Sequence, residues 1–475
     1  MHTKPHDNAA PLPGSPQQVL RVRDATAVIV GIVVGAGIFK APATVAGLAG
    51  DPTWIFALWL LGGVISLVGA LCYAELATAF AHAGGDYHFL QRAYGPSVSF
   101  LFWWARFSVV TTGSIALLAF VFGDYMNRLL PLPFGGSAWY AALAVAGISW
   151  INLRGTRTGI AAQAWLTAIE AGGLLLVAAA GLLAPEAGAG TAAAAAVPSP
   201  GPQALGLAMV FVLLTYGGWN EAAYISAELK DVRRGMVRSL VWSILIITAL
   251  YLLVNWAYWH GLGVTALART EAPAADLLRV AFGPAGEKVI SAIVAVAALT
   301  SLNATMIVGA RTSYAMGRDW PALASLGLWD SRRGAPVNAL RVQGIAALLL
   351  VAAGSMTGSG FNAMVEFTAP VFWLFFLLSG ISLFLLRLRE PAAVRPFRVP
   401  LYPLLPAIFC ATCAYMLWSS LSYVSSQSLG GINAAWMGVA VLAAGCVLLW
   451  LMRMRSARIG AMQTEHLSKG DVNET

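Results

Sequence analysis

The sequence predicts an all-α polytopic membrane protein. Of its 475 residues 59% are hydrophobic and only 11% carry charge, and mean hydropathy is +0.73. A water-soluble globule of that composition would leave too much apolar surface uncovered. The apolar residues also come in continuous runs, whereas a membrane barrel alternates apolar and polar residues over about ten positions. The runs are therefore read as helices.

A hydrocarbon layer about 30 Å thick takes roughly 20 apolar residues per helix. Twelve runs meet that requirement, near residues 26–48, 54–80, 98–123, 138–153, 160–183, 204–228, 238–261, 287–310, 339–357, 362–386, 403–425 and 432–452. The first contains GIVVGAGIFKAP, residues 31–42, with three glycines, a lysine and a proline where a spanning helix has least use for them. The second leads into ELATAFAHAGGDYHFLQRAYG at 75–95, read as a connecting loop. The third carries Arg106 and the fifth Glu170, charges at membrane depth. The sixth is interrupted in its middle, at Tyr216, Gly217, Gly218, Trp219 and Asn220. Residues 184–203, rich in Ala, Gly and Pro, and the polar last twenty residues read as flexible connections.

Lys and Arg are retained on the cytoplasmic side of short loops. With both termini inside, only Arg128, Arg269, Arg279 and Lys288 of the 29 basic residues fall outside, and Lys40 and Arg106 lie within spans. The net charge of +8 is thus topological and directed at anionic lipid, so no nucleic-acid partner is expected. Residues 1–20 are polar and Pro-rich ahead of a first run already long enough to span, so no cleavable signal peptide is expected. Cys72, Cys410, Cys413 and Cys446 all fall within spans, where packing suits them better than redox chemistry. HExxH, a nucleophile elbow, a His cluster and a phosphate-cradling loop are absent from the sequence. No enzymatic activity, cofactor or metal is expected.

A helix broken at mid-membrane exposes backbone groups that lipid cannot satisfy, so a break survives only where it lines a cavity. Two breaks, in the first and sixth spans, occupy the same place in successive groups of five helices. An inverted-repeat transporter has its midplane site made by such a pair. Amide N–H groups at Gly35, Ala36 and Gly37 and at Gly217 and Gly218 suit a carboxylate, and carbonyls ending the preceding half-helices suit an ammonium. Against this, glycines spaced as Gly31 and Gly35 also let membrane helices pack closely.

Five stretches together resemble one family, the amino acid–polyamine–organocation permeases, and within it the L-type amino acid transporters. They are GAGIF (residues 35–39), the 75–95 segment, YGGWN (216–220), SLNATMIVGARTSYAMGRD (301–319) and RPFRVPLYPLLP (395–406). The resemblance spans nearly the whole chain. It implies a LeuT-like 5+5 inverted repeat with helices 1 and 6 discontinuous, two further C-terminal helices, and alternating access. The organisation expected is a cytoplasmic tail over 1–20, a core over 21–390 with repeats about 21–183 and 204–390, helices 11 and 12 over 391–455, and a cytoplasmic tail over 456–475. By analogy the substrate carboxylate meets the amides near Gly35, Ala36 and Gly37, next to Ile38, and the ammonium meets carbonyls near Ile32 and Leu214.

Departures bear on coupling and substrate. Relatives carry a Lys in helix 5 that stands in for sodium, and Glu170 takes that place here. It is read as the proton-coupling group, or as an ion pair with Arg106; the two are compatible. Glu221 either binds the distal amine of a cationic substrate or caps the second half-helix. Leu214 replaces the gating aromatic of helix 6, leaving Tyr216 or Trp219 as substitutes. Lys40 is read as snorkelling outward. Thr300 and Ser301 leave sodium coupling open, and a polyamine or other organic cation remains the alternative to an L-amino acid. The loop between spans 3 and 4 has no cysteine, so no disulfide-linked partner is expected. Ala, Gly and Arg usage points to a bacterial inner membrane, the cell membrane being the expected location.

Overall fold

A computed structural model describes residues 21–80, 85–154, 160–186, 200–220, 232–330, 332–422, 428–429 and 432–470. In chain order the helices are α1 (Val22–Val33), α2 (Ala41–Ala49), α3 (Pro52–Ala79), α4 (Asp86–Tyr94), α5 (Pro96–Ala105), α6 (Thr112–Leu129), α7 (Gly136–Arg154), α8 (Ile160–Leu183), α9 (Pro202–Thr215), α10 (Val232–Arg269), α11 (Pro273–Asp319), α12 (Val337–Gly354), α13 (Gly360–Arg389), α14 (Leu404–Ser422) and α15 (Ala434–Gly470). Among the described residues eight helical segments are long and apolar enough to cross a membrane, and two shorter apolar ones, Ala168–Leu183 and Pro202–Thr215, accompany them. This is a multi-pass membrane protein.

Within the described residues the predicted runs fall largely on helix, and the differences have local causes. The first run splits into α1, a 3-10 turn over Ala36–Phe39, and α2. The third joins α5 to α6 through a wide π-helical turn, Arg106–Thr111. The 75–95 segment, read as a loop, holds α4, delimited by Gly85 and Gly95 at φ 46° and 89°. α10 and α11 run past their predicted ends because the chain stays helical after turning at Gly263 and Gly283, both at positive φ that glycine alone adopts without strain. The C-terminal tail is helical through Gly470, since residues 456–470 hold good helix formers and no proline.

α10 runs alongside α1. Ser239 donates to Val22 O at 3.2 Å, Ser243 to Thr26 O at 3.3 Å and Tyr251 to Val33 O at 3.0 Å. Steps of four and eight residues on α10 keep these side chains on one face, and the matching advance along α1 makes the two helices parallel neighbours.

The 75–95 and 395–406 motifs meet at one end of the bundle. Glu75, buried at the end of α3, accepts two hydrogen bonds from Arg387 at 2.8 and 2.6 Å and one from Val399 N at 2.6 Å, with Arg395 at 3.6 Å. Arg395 also donates to Leu386 O and Glu390 O, both at 2.9 Å. Arg389 reaches Ala93 O at 2.6 Å, so α4 is fastened to the end of α13. Sequence positions more than 300 apart thus form one tie.

Candidate substrate site

The first break begins where α1 ends. Gly35 N donates to Val33 O at 2.8 Å, Gly35 is extended, and the 3-10 turn Ala36–Phe39 follows. Lys40 N closes onto Gly37 O at 3.0 Å before α2 starts with Pro42 in its first turn. The leading N–H groups of such a turn have no partner within it, so Ala36 and Gly37 present donors at the break. The second break follows α9. Gly217 N turns back to Leu214 O at 3.0 Å, and Gly218 sits at φ 108°.

The breaks face one another. A side chain on Gly218 would begin 3.0 Å from Ile32 Cγ2 and 3.3 Å from Ile32 O. Gly37 lies opposite Thr215, whose methyl and hydroxyl are both 3.8 Å from where a Cβ would stand. Around Gly35 only its own Val33 O comes within 4.0 Å. A Cβ at Gly35 or Gly37 would therefore meet only ordinary contacts of 3.8–4.0 Å, so the two half-helix ends come together there without a clash.

Tyr251 joins the ends. Its hydroxyl lies 3.0 Å from Val33 O, the last carbonyl of α1, and 3.0 Å from Thr215 O, the last carbonyl of α9. Helix C-termini leave such carbonyls without partners inside the helix, and one fully buried phenol serves both. Nothing in the sequence singled out Tyr251, an aromatic within a long apolar run. Its one visible signal is the four-residue spacing from Ser239 and Ser243 through Ile247.

The other site residues divide. Ala36 and Ile38 are fully buried, whereas Ile32 is 42% exposed, at the α1 end of the break. Leu214, Gly217 and Gly218 are half-buried. Glu221 lies outside the described residues. The rings of the two substitute gates pack among other aromatic side chains. Tyr216 is fully buried, donates to Trp59 O at 3.0 Å, and packs on Trp59 and Tyr251 with ring centroids 6.0 and 5.0 Å away. Trp219 sits edge-on to Tyr73 at 5.2 Å and Phe376 at 5.7 Å, with Phe409 at 6.3 Å. Large rings follow their apolar area, and here the interior of α3, α13 and α14 offers more of it than the break does. A narrow apolar cavity between Ser66, Gly217, Trp219 and Phe372 adjoins this cluster.

Glu170 is buried on α8, and its Oε1 has no hydrogen-bond partner. Arg106 opens the π-helical turn on another helix, and burial is what acts on Glu170, with Tyr251 in its electrostatic reach. One turn on from Glu170, a side chain on Gly173 would begin 3.5 Å from Phe39 Cζ, so this face of α8 packs behind the 3-10 turn. Lys40 does not snorkel. Its ammonium is buried against Asp124 and donates to Glu271 O at 2.6 Å. Thr300 spends its hydroxyl on Val296 O at 2.9 Å, and no group of three or more His, Cys, Asp or Glu capable of holding a metal occurs among the described residues.

With this geometry in hand, comparison with known proteins is decisive. The sequence profile of the amino acid permeases matches residues 20–445. The chain belongs to that family. It is 28% identical to the b(0,+)-type amino acid transporter 1 of Homo sapiens over 392 residues, 81% of this chain and 79% of the human protein. Identity is also 28% to the serine/threonine exchanger SteT of Bacillus subtilis (strain 168), over 84% of this chain and 90% of that protein. The large neutral amino acids transporter small subunit 2 of Mus musculus matches at 28% over 84% of this chain and 75% of its own length. The permease family assigns the chain to membrane transporters, and its homologues carry amino acids.

Proposed function

We propose that this permease carries L-amino acids across the cell membrane by alternating access, as a symporter or exchanger. The observation that supports it is the pair of helix breaks set face to face, Gly218 against Ile32 and Gly37 against Thr215. The substrate carboxylate takes the N–H groups of Ala36 and Gly37. Its ammonium takes Ile32 O and Leu214 O, each carbonyl having a second lone pair. Gly217 and Gly218 let the second break approach, Ile38 backs the 3-10 turn, and Tyr216 and Trp219 hold the second break from behind. Glu221 caps the half-helix that follows or meets a distal amine.

The scaffold of this reading has twelve helices, the first ten as a LeuT-like 5+5 inverted repeat. Both termini are cytoplasmic, the membrane is a bacterial inner membrane, and no cofactor or disulfide-linked partner takes part. Protons couple through Glu170, whose carboxyl lies in a poorly hydrated span behind the first break. The same buried carboxyl, together with Glu221, favours an organic cation as the second reading.

Substrate binding by purified protein tests the site. Gly37→Leu fills the gap that Thr215 bounds at 3.8 Å and is expected to abolish amino acid binding while the protein stays folded. Wild-type affinity in a folded variant refutes the site. Displacement of the bound amino acid by a diamine supports the second reading.

A further inference from the structure

We propose that Lys40 is a latch that holds the outer half of helix 1 shut and must release before the binding centre opens outward. The inference rests on the alternating-access reading and topology above. Lys40 links the 3-10 turn that faces substrate to α2, the half-helix that leads outward. Its side chain is 6% exposed and that of Asp124, at the far end of α6, is 9% exposed. The ammonium holds the Asp124 carboxylate and donates to Glu271 O in the connection between α10 and α11 at 2.6 Å. Ser137, opening α7, donates to the other Asp124 oxygen. One buried charge pair therefore gathers α2, α6, α7 and that connection.

Neighbouring contacts close the same seam. Tyr125 donates to Phe39 O at 2.7 Å and accepts from Ala274 N at 3.4 Å. Arg128 pairs with Asp276 at 3.2 Å and lies 3.9 Å from Glu287. The connection is thus fastened down over the end of α6.

Exposure states which side is shut. Ile32, before the break, is 42% exposed, while Ala36, Ile38 and Phe39 after it are 0% exposed. The latch is closed in a conformation whose outer side is closed. Moving α2 away from α6 would strip a buried ammonium of its partners, a step that is strongly unfavourable unless water replaces them. Lys40 thereby sets the balance between the two faces as a positioning residue, without touching substrate.

Lys40→Met removes the charge and keeps most of the volume. In proteoliposomes of one orientation, the ratio of outer to inner KM is expected to fall roughly tenfold as the outward-open population rises. Hydrogen exchange is expected to quicken over residues 41–49 and 264–282 and to stay unchanged over α13. Lys40→Arg should restore the ratio, which a loss of general stability would not allow. If Lys40→Met does not fold, Asp124→Asn makes the same test from the other partner. An unchanged KM ratio in a folded variant overturns the latch. Wild-type exchange that ignores amino acid on either side refutes alternating access itself, and the latch with it.

Discussion

Tyr251→Phe tests whether the two breaks form one site. The phenol has a single proton and two acceptors, Val33 O and Thr215 O, each 3.0 Å away. Its ring packs edge-on to Trp59 at 5.5 Å and to Tyr216 at 5.0 Å, contacts that phenylalanine keeps. The variant therefore deletes the hydrogen bonds and little else. A net hydrogen bond contributes about 1 kcal/mol, and a buried acceptor left bare costs about 1–3 kcal/mol. Val33 O keeps its hydrogen bond from Gly35 N in the variant, so the loss falls on Thr215 O and about 1–2 kcal/mol of the arrangement is at stake. With 1.4 kcal/mol per tenfold, substrate affinity should weaken about 5- to 30-fold. Equilibrium binding of labelled amino acid to purified protein measures it, with thermal unfolding as control. A lower melting temperature with affinity within about twofold of wild type would show that the phenol holds helices without shaping the site.

Three further outcomes are expected. Glu170→Gln keeps the shape of a buried side chain and removes its titration, so net uptake should lose its pH dependence; a wild-type pH profile returns Glu170 to packing. Glu75→Gln leaves Arg387 and Arg395 without their carboxylate, and loss of one partner of a buried pair costs about 3–5 kcal/mol, so the melting temperature should fall by many degrees. At the exposed pair of Arg92 and Glu390, 2.6 Å apart, the guanidinium holds the Glu390 carboxyl below the usual carboxylate range. A depressed carboxyl contributes stability above its unfolded pKa, about 4.3, and loses it as pH falls through the folded value. Glu390→Gln should therefore cost under about 1 kcal/mol at neutral pH and nothing in strong acid, as pH-dependent melting would register.

The apolar runs fixed where helices lie because lipid leaves the backbone no other way to satisfy its polar groups. The breaks were legible for the same reason: GAGIF and YGGWN are sequences that a continuous span has no use for. Distances between sequence-remote groups were not legible. Lys40, Glu75, Arg106 and Glu170 all lie within apolar runs of the first repeat, and which partners they meet is decided by helices remote in sequence. Tyr216 and Trp219 looked like gates because they flank Gly217 and Gly218, but packing against Trp59 and Phe376 decides where those rings go. Asp124 is an ordinary loop-end aspartate until the fold brings Lys40 to it.

Helix 1 is held by different partners on either side of its break, which bears on how the site can open. α1 is tied to α10 by three hydrogen bonds, from Ser239, Ser243 and Tyr251. α2 is tied elsewhere, through Lys40 to α6, through Phe39 O to Tyr125, and through Thr44 to Asn362 of α13 at 2.9 Å. A rigid helix so anchored would have to break one set of ties whenever the other moved. Gly35 removes that constraint, because extended backbone without a helical hydrogen bond turns at low cost. The break that exposes amides to substrate is therefore also the hinge, and ligand held there bridges both halves. Bound amino acid should accordingly slow hydrogen exchange in α1 and α2 together, whereas ligand held by one half alone would protect only that half.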